Sequence, residues 1–234
     1  MLKNITIISE GVRLFGVVLV LCFLVIQCSP KTETNIDLKK NLNVNTTVII
    51  DTTISEDFVE IDFNKLGVVN QLVYATDSNF LGVKVYPCAR AFLRKKVYDA
   101  LLIAIKMAKN KGYSLVIYDA YRPLSIQKKM YEMVQDEKFV ASPKKGSKHN
   151  RGCAIDVGLA DKNGSIDFGS DFDDFSEKSY ENSNSISSQA IQNRKVLRNI
   201  MESAGFKPYK NEWWHFNYYI VDYPVSNFIW SCQK

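Results

Sequence analysis

The chain has 234 residues, 46% of them hydrophobic and 24% charged, and a net charge of +5 at neutral pH. That is the composition of an ordinary globular protein, long enough for one good hydrophobic core. The basic clusters Arg94-Lys95-Lys96, Lys128-Lys129 and Lys144-Lys145 are short, scattered and not interleaved with aromatics, which argues against a nucleic-acid surface.

Lys3 and Arg13 precede an uncharged run from Leu14 to Ile26. At 13 residues the run falls short of the roughly 20 that span a bilayer, and it suits the apolar region of a signal peptide. Val25-Ile26-Gln27-Cys28 resembles a bacterial lipoprotein box, with Gln27 where a small residue is usual. Residues 1–27 then read as the signal, Cys28 as the lipidated residue, and 28–57, rich in Thr, Asn and Lys, as a polar tether. An uncleaved anchor is the alternative. Either way the domain, 58–234, is expected outside the cytoplasm, held to a bacterial membrane and facing the periplasm or the exterior. Thr47–Ile50 could add a short strand.

Within the domain, Phe92, Leu93, Val97, Ala100, Leu101, Ala104 and Ala108 recur at helical spacing, which predicts a helix over Ala89–Asn110 stopped by Gly112. Ser114–Tyr118 reads as a buried strand. Ser125–Gln135 is helical after Pro123. Ala154–Leu159 is a strand whose alternation puts Ile155, Val157 and Leu159 on one face and Asp156 on the other. Gln189–Ala204 is a helix, with Ile191, Leu197, Ile200, Met201 and Ala204 inward. Trp213–Tyr219 is an aromatic strand. Without regular βαβ alternation the fold class is α+β: a small, mostly antiparallel sheet flanked by helices. Cys22 would leave with the signal, and Cys88, Cys153 and Cys232 leave room for one disulfide without saying which pair forms it.

The chain has two histidines, and both sit in metal-ligand patterns: Ser147-Lys-His149-Asn-Arg-Gly-Cys-Ala-Ile-Asp156 and Glu212-Trp-Trp-His215. Imidazole with carboxylate suits zinc, and a catalytic zinc takes three protein ligands and leaves a position for water. His149, Asp156 and His215 make that set for one ion, at one end of the sheet. Glu212 would stand beside the water as a base. In a regular strand residues three apart face opposite ways, so Glu212 and His215 share a site only if Glu212 lies in the preceding turn or a bulge intervenes. Arg122 in Tyr121-Arg-Pro123 ends the buried strand and offers a guanidinium to a developing oxyanion. A surface histidine, a strand-end aspartate and a surface arginine would each be unremarkable alone; their combination favours a site.

Tyr118-Asp-Ala-Tyr-Arg-Pro123, Ser147–Asp156 and Glu212–His215 together resemble the D-alanyl-D-alanine dipeptidases, the zinc enzymes of the vancomycin-resistance type. The similarity runs from about Tyr74 to Phe216. It implies a zinc metallopeptidase that splits D-Ala-D-Ala into two D-alanines, with His149, Asp156 and His215 on zinc, Glu212 as acid/base and Arg122 stabilising the transition state. It also implies that Tyr74 and Asp173 bind the substrate, Asp173 through its ammonium. Cys153 stands where the family often has a small residue. The alternatives are a zinc D,D-carboxypeptidase acting on peptidoglycan stems and a non-catalytic wall-binding lipoprotein with a structural zinc.

Overall fold

The computed structural model describes residues 57–137 and 139–232. The signal, Cys28, the tether up to residue 56 and the strand expected at Thr47–Ile50 lie outside the described residues. In chain order the elements are β1 (Phe58–Glu60), α1 (Phe63–Leu66), β2 (Val69–Asn70), β3 (Phe92–Arg94), α2 (Lys95–Asn110), β4 (Ser114–Asp119) and α3 (Leu124–Val134). They continue with β5 (Ala154–Asp161), β6 (Gly164–Ser165), α4 (Ser188–Ser203), β7 (Phe206–Tyr209) and β8 (Glu212–Tyr218). Single 3-10 turns fall at Val73–Ala75, His149–Arg151 and Glu177–Ser179.

The main sheet has six strands in the order β2-β4-β5-β8-β7, with β6 on β5. Only the β2–β4 pairing is parallel, so the expected α+β class and mostly antiparallel sheet are what the chain builds. β4 and β5 form its centre and are buried almost throughout, Leu115 to Ile117 and Ile155 to Val157 being at most 3% exposed. Both faces of β5 are therefore covered, and Asp156 lies inside the protein rather than on an open face. Helix α2 packs Val97, Ala100, Leu101, Ala104, Ile105 and Ala108 inward.

Two expectations need correction. Ala89–Arg94 is not helical. Phe92–Arg94 pairs antiparallel with β1, and the helix starts only at Lys95. Helical spacing continues through Phe92 and Leu93, but strand pairing buries both, and Arg94 is drawn into extended backbone with its guanidinium 4.1 Å from the Phe58 ring centroid and 4.9 Å from that of Tyr223. Tertiary pairing overrides the local pattern. On α4, Ile191 is half-buried and Arg194 takes an inner position at 3% exposure. Its guanidinium donates to the carbonyls of Phe168, Lys178 and Tyr180, so burial is matched by hydrogen bonds that hold the 168–180 loop against the helix.

The disulfide is Cys88–Cys232, and Cys153 is a buried free thiol. The bridge fixes a C-terminal segment whose Trp230 packs 5.4 Å from Tyr86 and 5.2 Å from Phe92 between ring centroids. It closes a separation of 144 residues. Replacing both cysteines by serine should lower stability by roughly 2–5 kcal/mol. Urea denaturation of the two proteins checks this; an unchanged midpoint would mean the segment holds without the bridge.

Candidate active site

Asp156 and His215 face each other across the β5–β8 pair, so strand register alone brings two of the ligand candidates together. His149 arrives from the 3-10 turn that precedes β5. Gly152 closes that turn in the left-handed region, φ 66°, where a side chain would be strained. A Cβ there would also come within 2.8 Å of Phe58 and 2.9 Å of Arg94, so the turn can lie this close to β1 and β3 only with glycine. His149 Nδ1 is 2.6 Å from the carbonyl oxygen of Ala120, which it must bond as a donor. That leaves Nε2 with a free lone pair. His215 Nε2 is likewise 3.0 Å from Asn217 Oδ1, leaving Nδ1.

The three remaining atoms form a tight triangle. His149 Nε2 lies 3.1 Å from His215 Nδ1 and 3.4 Å from Asp156 Oδ1, and His215 Nδ1 lies 3.0 Å from Asp156 Oδ1. A tetrahedral ion with bonds of about 2.0–2.1 Å separates its ligands by about 3.3 Å. The triangle matches one face of such a tetrahedron, and the donor set fits a divalent transition metal. Backing each imidazole with a carbonyl or amide oxygen fixes its tautomer and ring orientation for that task.

The electrostatics agree. Burial alone would raise the Asp156 carboxyl, but the imidazoles of His149 and His215 outweigh it and hold it well below the usual carboxylate range. Burial likewise opposes a charge on His215, yet the hydrogen bond and charge of Asp156, with Glu212 and Asn217 behind it, push its imidazole up to about 9. A divalent metal that takes these ligands competes with protons for the same nitrogens.

Glu212 reaches the site through a bulge. Pro208 pairs with Phe216, but the next β7 residue, Tyr209, pairs with Glu212. Trp213, Trp214 and His215 are thus extra residues on β8, and the alternation that would have separated Glu212 from His215 is broken. Glu212 Oε2 lies 3.6 Å from His215 Nδ1. Burial pushes its carboxyl up, the imidazole of His215 pulling the other way. Trp213 stacks on Phe168 at 4.2 Å and donates to Ser170 Oγ, while Trp214 walls the cavity.

Arg122 is 8% exposed and no surface ion pair. Its Nε and one terminal nitrogen donate to Asp119 Oδ2 at 3.1 and 2.6 Å, and the other terminal nitrogen donates to Gln127 Oε1 at 3.0 Å. Asp119, fully buried, also accepts from Tyr86 Oη at 2.6 Å and from the Ala120 amide at 2.8 Å. A bulge between Ile117 and Asp119 sets Asp119 opposite Asp156. Sequence reasoning did not single out Asp119. The sequence offers only a weak signal, a carboxylate that ends a largely buried strand three residues before an arginine.

Tyr74 and Asp173 meet although 99 residues separate them: Tyr74 Oη donates to Asp173 Oδ2 at 2.9 Å. Asp173 adopts φ 62°, a left-handed conformation that costs a non-glycine residue energy and that clusters at functional sites. Burial pushes its carboxyl well above the usual range; the Tyr74 hydrogen bond opposes this, and the nearby Asp156 and Glu212 charges add to it. Tyr74, Arg122, Asp173 and Glu212 all line one cavity of about 290 Å³ together with His149, Asp156 and His215. That size is at the low end of ligand pockets and suits a small molecule. The cavity holds a ligand triangle, a neighbouring carboxylate, a braced cation and a second buried carboxylate, which is an arrangement for hydrolysis.

The enzyme class is that of the metallopeptidases. Residues 55–230 match the family model Peptidase_M15, described as D-ala-D-ala dipeptidase. The chain belongs to that family. It is similar to the D-alanyl-D-alanine dipeptidase of Escherichia coli, 38% identical over 164 residues, which are 69% of this chain and 85% of that protein. The proteins of the same name from Enterococcus faecium and Enterococcus faecalis are 35% and 34% identical, over 66% and 73% of this chain and 88% and 96% of theirs. A solved vancomycin resistance D,D-dipeptidase, bound to a D-Ala-D-Ala phosphinate analogue, aligns with TM-score 0.38 and 22% identity over 69% of this chain and 66% of that one.

Proposed function

We propose that this chain is an exported, lipid-anchored zinc dipeptidase that hydrolyses D-Ala-D-Ala to two D-alanines, with one zinc ion on His149, Asp156 and His215. The observation that carries this reading is the 3.0–3.4 Å triangle of His149 Nε2, Asp156 Oδ1 and His215 Nδ1 with the Glu212 carboxylate 3.6 Å from one corner. Zinc bound there would polarise the scissile carbonyl and bring the pKa of water toward about 7.

The chain's own groups do the rest. Glu212, its carboxyl raised by burial, takes the proton of the attacking water and hands it to the leaving amine. Arg122, held on three nitrogens by Asp119 and Gln127, keeps its guanidinium in place for the oxygen that becomes negative. Asp173, buried and accepting from Tyr74, gives the substrate ammonium a carboxylate to pair with. The ammonium in turn restores a charge that burial disfavours. Cys28 would carry the lipid after removal of residues 1–27, with 28–57 as tether. The Cys88–Cys232 bridge supports a location in an oxidising compartment.

Comparing D-Ala-D-Ala, its N-acetyl derivative and a stem pentapeptide tests the reading. Acetylation removes the ammonium that would pair with Asp173, a loss of about 1.5–3 kcal/mol or more. kcat/KM should therefore fall at least about tenfold. Equal cleavage of the acetylated dipeptide or the pentapeptide would favour a D,D-carboxypeptidase, and no cleavage of any would favour a non-catalytic binding protein.

A further inference from the structure

We propose that Lys148 reads the free C-terminal carboxylate of the substrate and so sets the preference for a peptide that ends at the cleaved unit. This rests on the dipeptidase reading and names a specificity residue within it. A free dipeptide carries one charge at each end. If Asp173 meets the ammonium, a cation should meet the carboxylate, since a desolvated charge needs a partner.

Among the described residues lining the cavity, the two cationic side chains other than the imidazoles are Arg122 and Lys148. Arg122, braced by Asp119 and Gln127, is assigned to the oxygen that becomes negative, which leaves Lys148 for the carboxylate. Lys148 directly precedes His149. Its carbonyl accepts from the Arg151 and Cys153 amides at 3.1 and 2.9 Å, so its backbone is fixed by the turn that positions the ligand. Its side chain is only 26% exposed. Nζ lies 5.1 Å from the ring centroid of Tyr219, which lines the same cavity, and 2.9 Å from Asp222 Oδ1.

The partner of that ion pair differs from Asp119. Asp222 is 70% exposed, and an ion pair with an exposed carboxylate contributes little. A lysine ammonium has three donors, and its long stem can turn. Lys148 can thus share its charge with a second carboxylate that arrives in the cavity. The plainer role would be a clasp, in which Lys148 only ties the His149 turn to the 219–225 segment through Asp222.

D-Ala-D-Ala and D-alanyl-D-alaninamide separate the two roles, measured on the zinc-loaded full chain as wild type, Lys148→Met, Lys148→Arg and Asp222→Asn, with zinc content determined for each. Lys148→Met should lower kcat/KM for the free acid about 10- to 100-fold, mainly through KM, and leave the amide within about threefold. The acid-to-amide ratio should collapse, Lys148→Arg should restore part of it, and Asp222→Asn should leave it unchanged or higher. Equal losses on both substrates, a loss of zinc in Lys148→Met, or the same collapse in Asp222→Asn would overturn the proposal in favour of the clasp. A wild type that cuts acid and amide equally well overturns the Lys148 assignment alone; one that cuts neither overturns the dipeptidase reading and this inference with it.

Discussion

Glu212→Gln should keep its metal and lose about 100- to 10,000-fold in kcat, the range over which a positioned general acid–base acts. The amide copies the shape of the carboxylate but cannot take a proton from water. Glu212 is 3.6 Å from His215 Nδ1, adjacent to the triangle and not one of its corners, so the three ligands should survive the change. Because burial already disfavours the Glu212 charge, neutralising it should not weaken the fold. Metal content by elemental analysis, measured beside kcat, checks both halves. Loss of metal together with activity would make Glu212 a ligand, and retained activity would remove it from the chemistry.

Arg122→Met should damage both rate and stability. On the proposed role, its loss removes an oxyanion donor, which costs about 100- to 1000-fold in rate. It also strands Asp119, which is fully buried and accepts two hydrogen bonds from that guanidinium. Leaving one member of a buried pair unpartnered costs roughly 3–5 kcal/mol. Asp119→Asn/Arg122→Met removes the stranded charge, so it should regain much of the stability and none of the rate. Arg122→Lys keeps the charge but not the planar fork that spans Asp119 and Gln127, so it should stay well below wild type in kcat/KM. Urea denaturation with kinetics on the four proteins separates the effects. A double variant that recovers activity would show that Arg122 acts only as a structural counter-ion.

Much of the candidate site was legible because its candidate ligands include scarce residues. With two histidines in the chain, both in ligand patterns, the set His149, Asp156 and His215 could be read before any fold was known. The strand Ala154–Asp161 and helix Ser188–Ser203 were legible from periodicity to within a residue or two at most boundaries. What could not be read was set by contacts distant in sequence. Spacing alone could state that Glu212 and His215 needed a turn or a bulge. It is the bulge that occurs: Glu212 is the first residue of β8, just before three extra residues against β7. Phe92 and Leu93 fit a helix and form a strand because β1 lies beside them. The partner of Cys88 is 144 residues away, and packing of Phe228 and Trp230 on the core holds the segment that carries Cys232. Asp119 was overlooked because a buried carboxylate looks like any other aspartate until Arg122 and Tyr86 are seen to bond it.

The most direct measurement is a zinc titration of chelator-stripped protein while D-alanine release from D-Ala-D-Ala is followed. Stripped protein should be inactive, and activity should rise with zinc to a plateau at one ion per chain. His215→Ala should neither bind that ion nor release D-alanine. Full activity in metal-free protein, or no D-alanine from protein holding one zinc per chain, would contradict the assignment of this cavity as a zinc dipeptidase site.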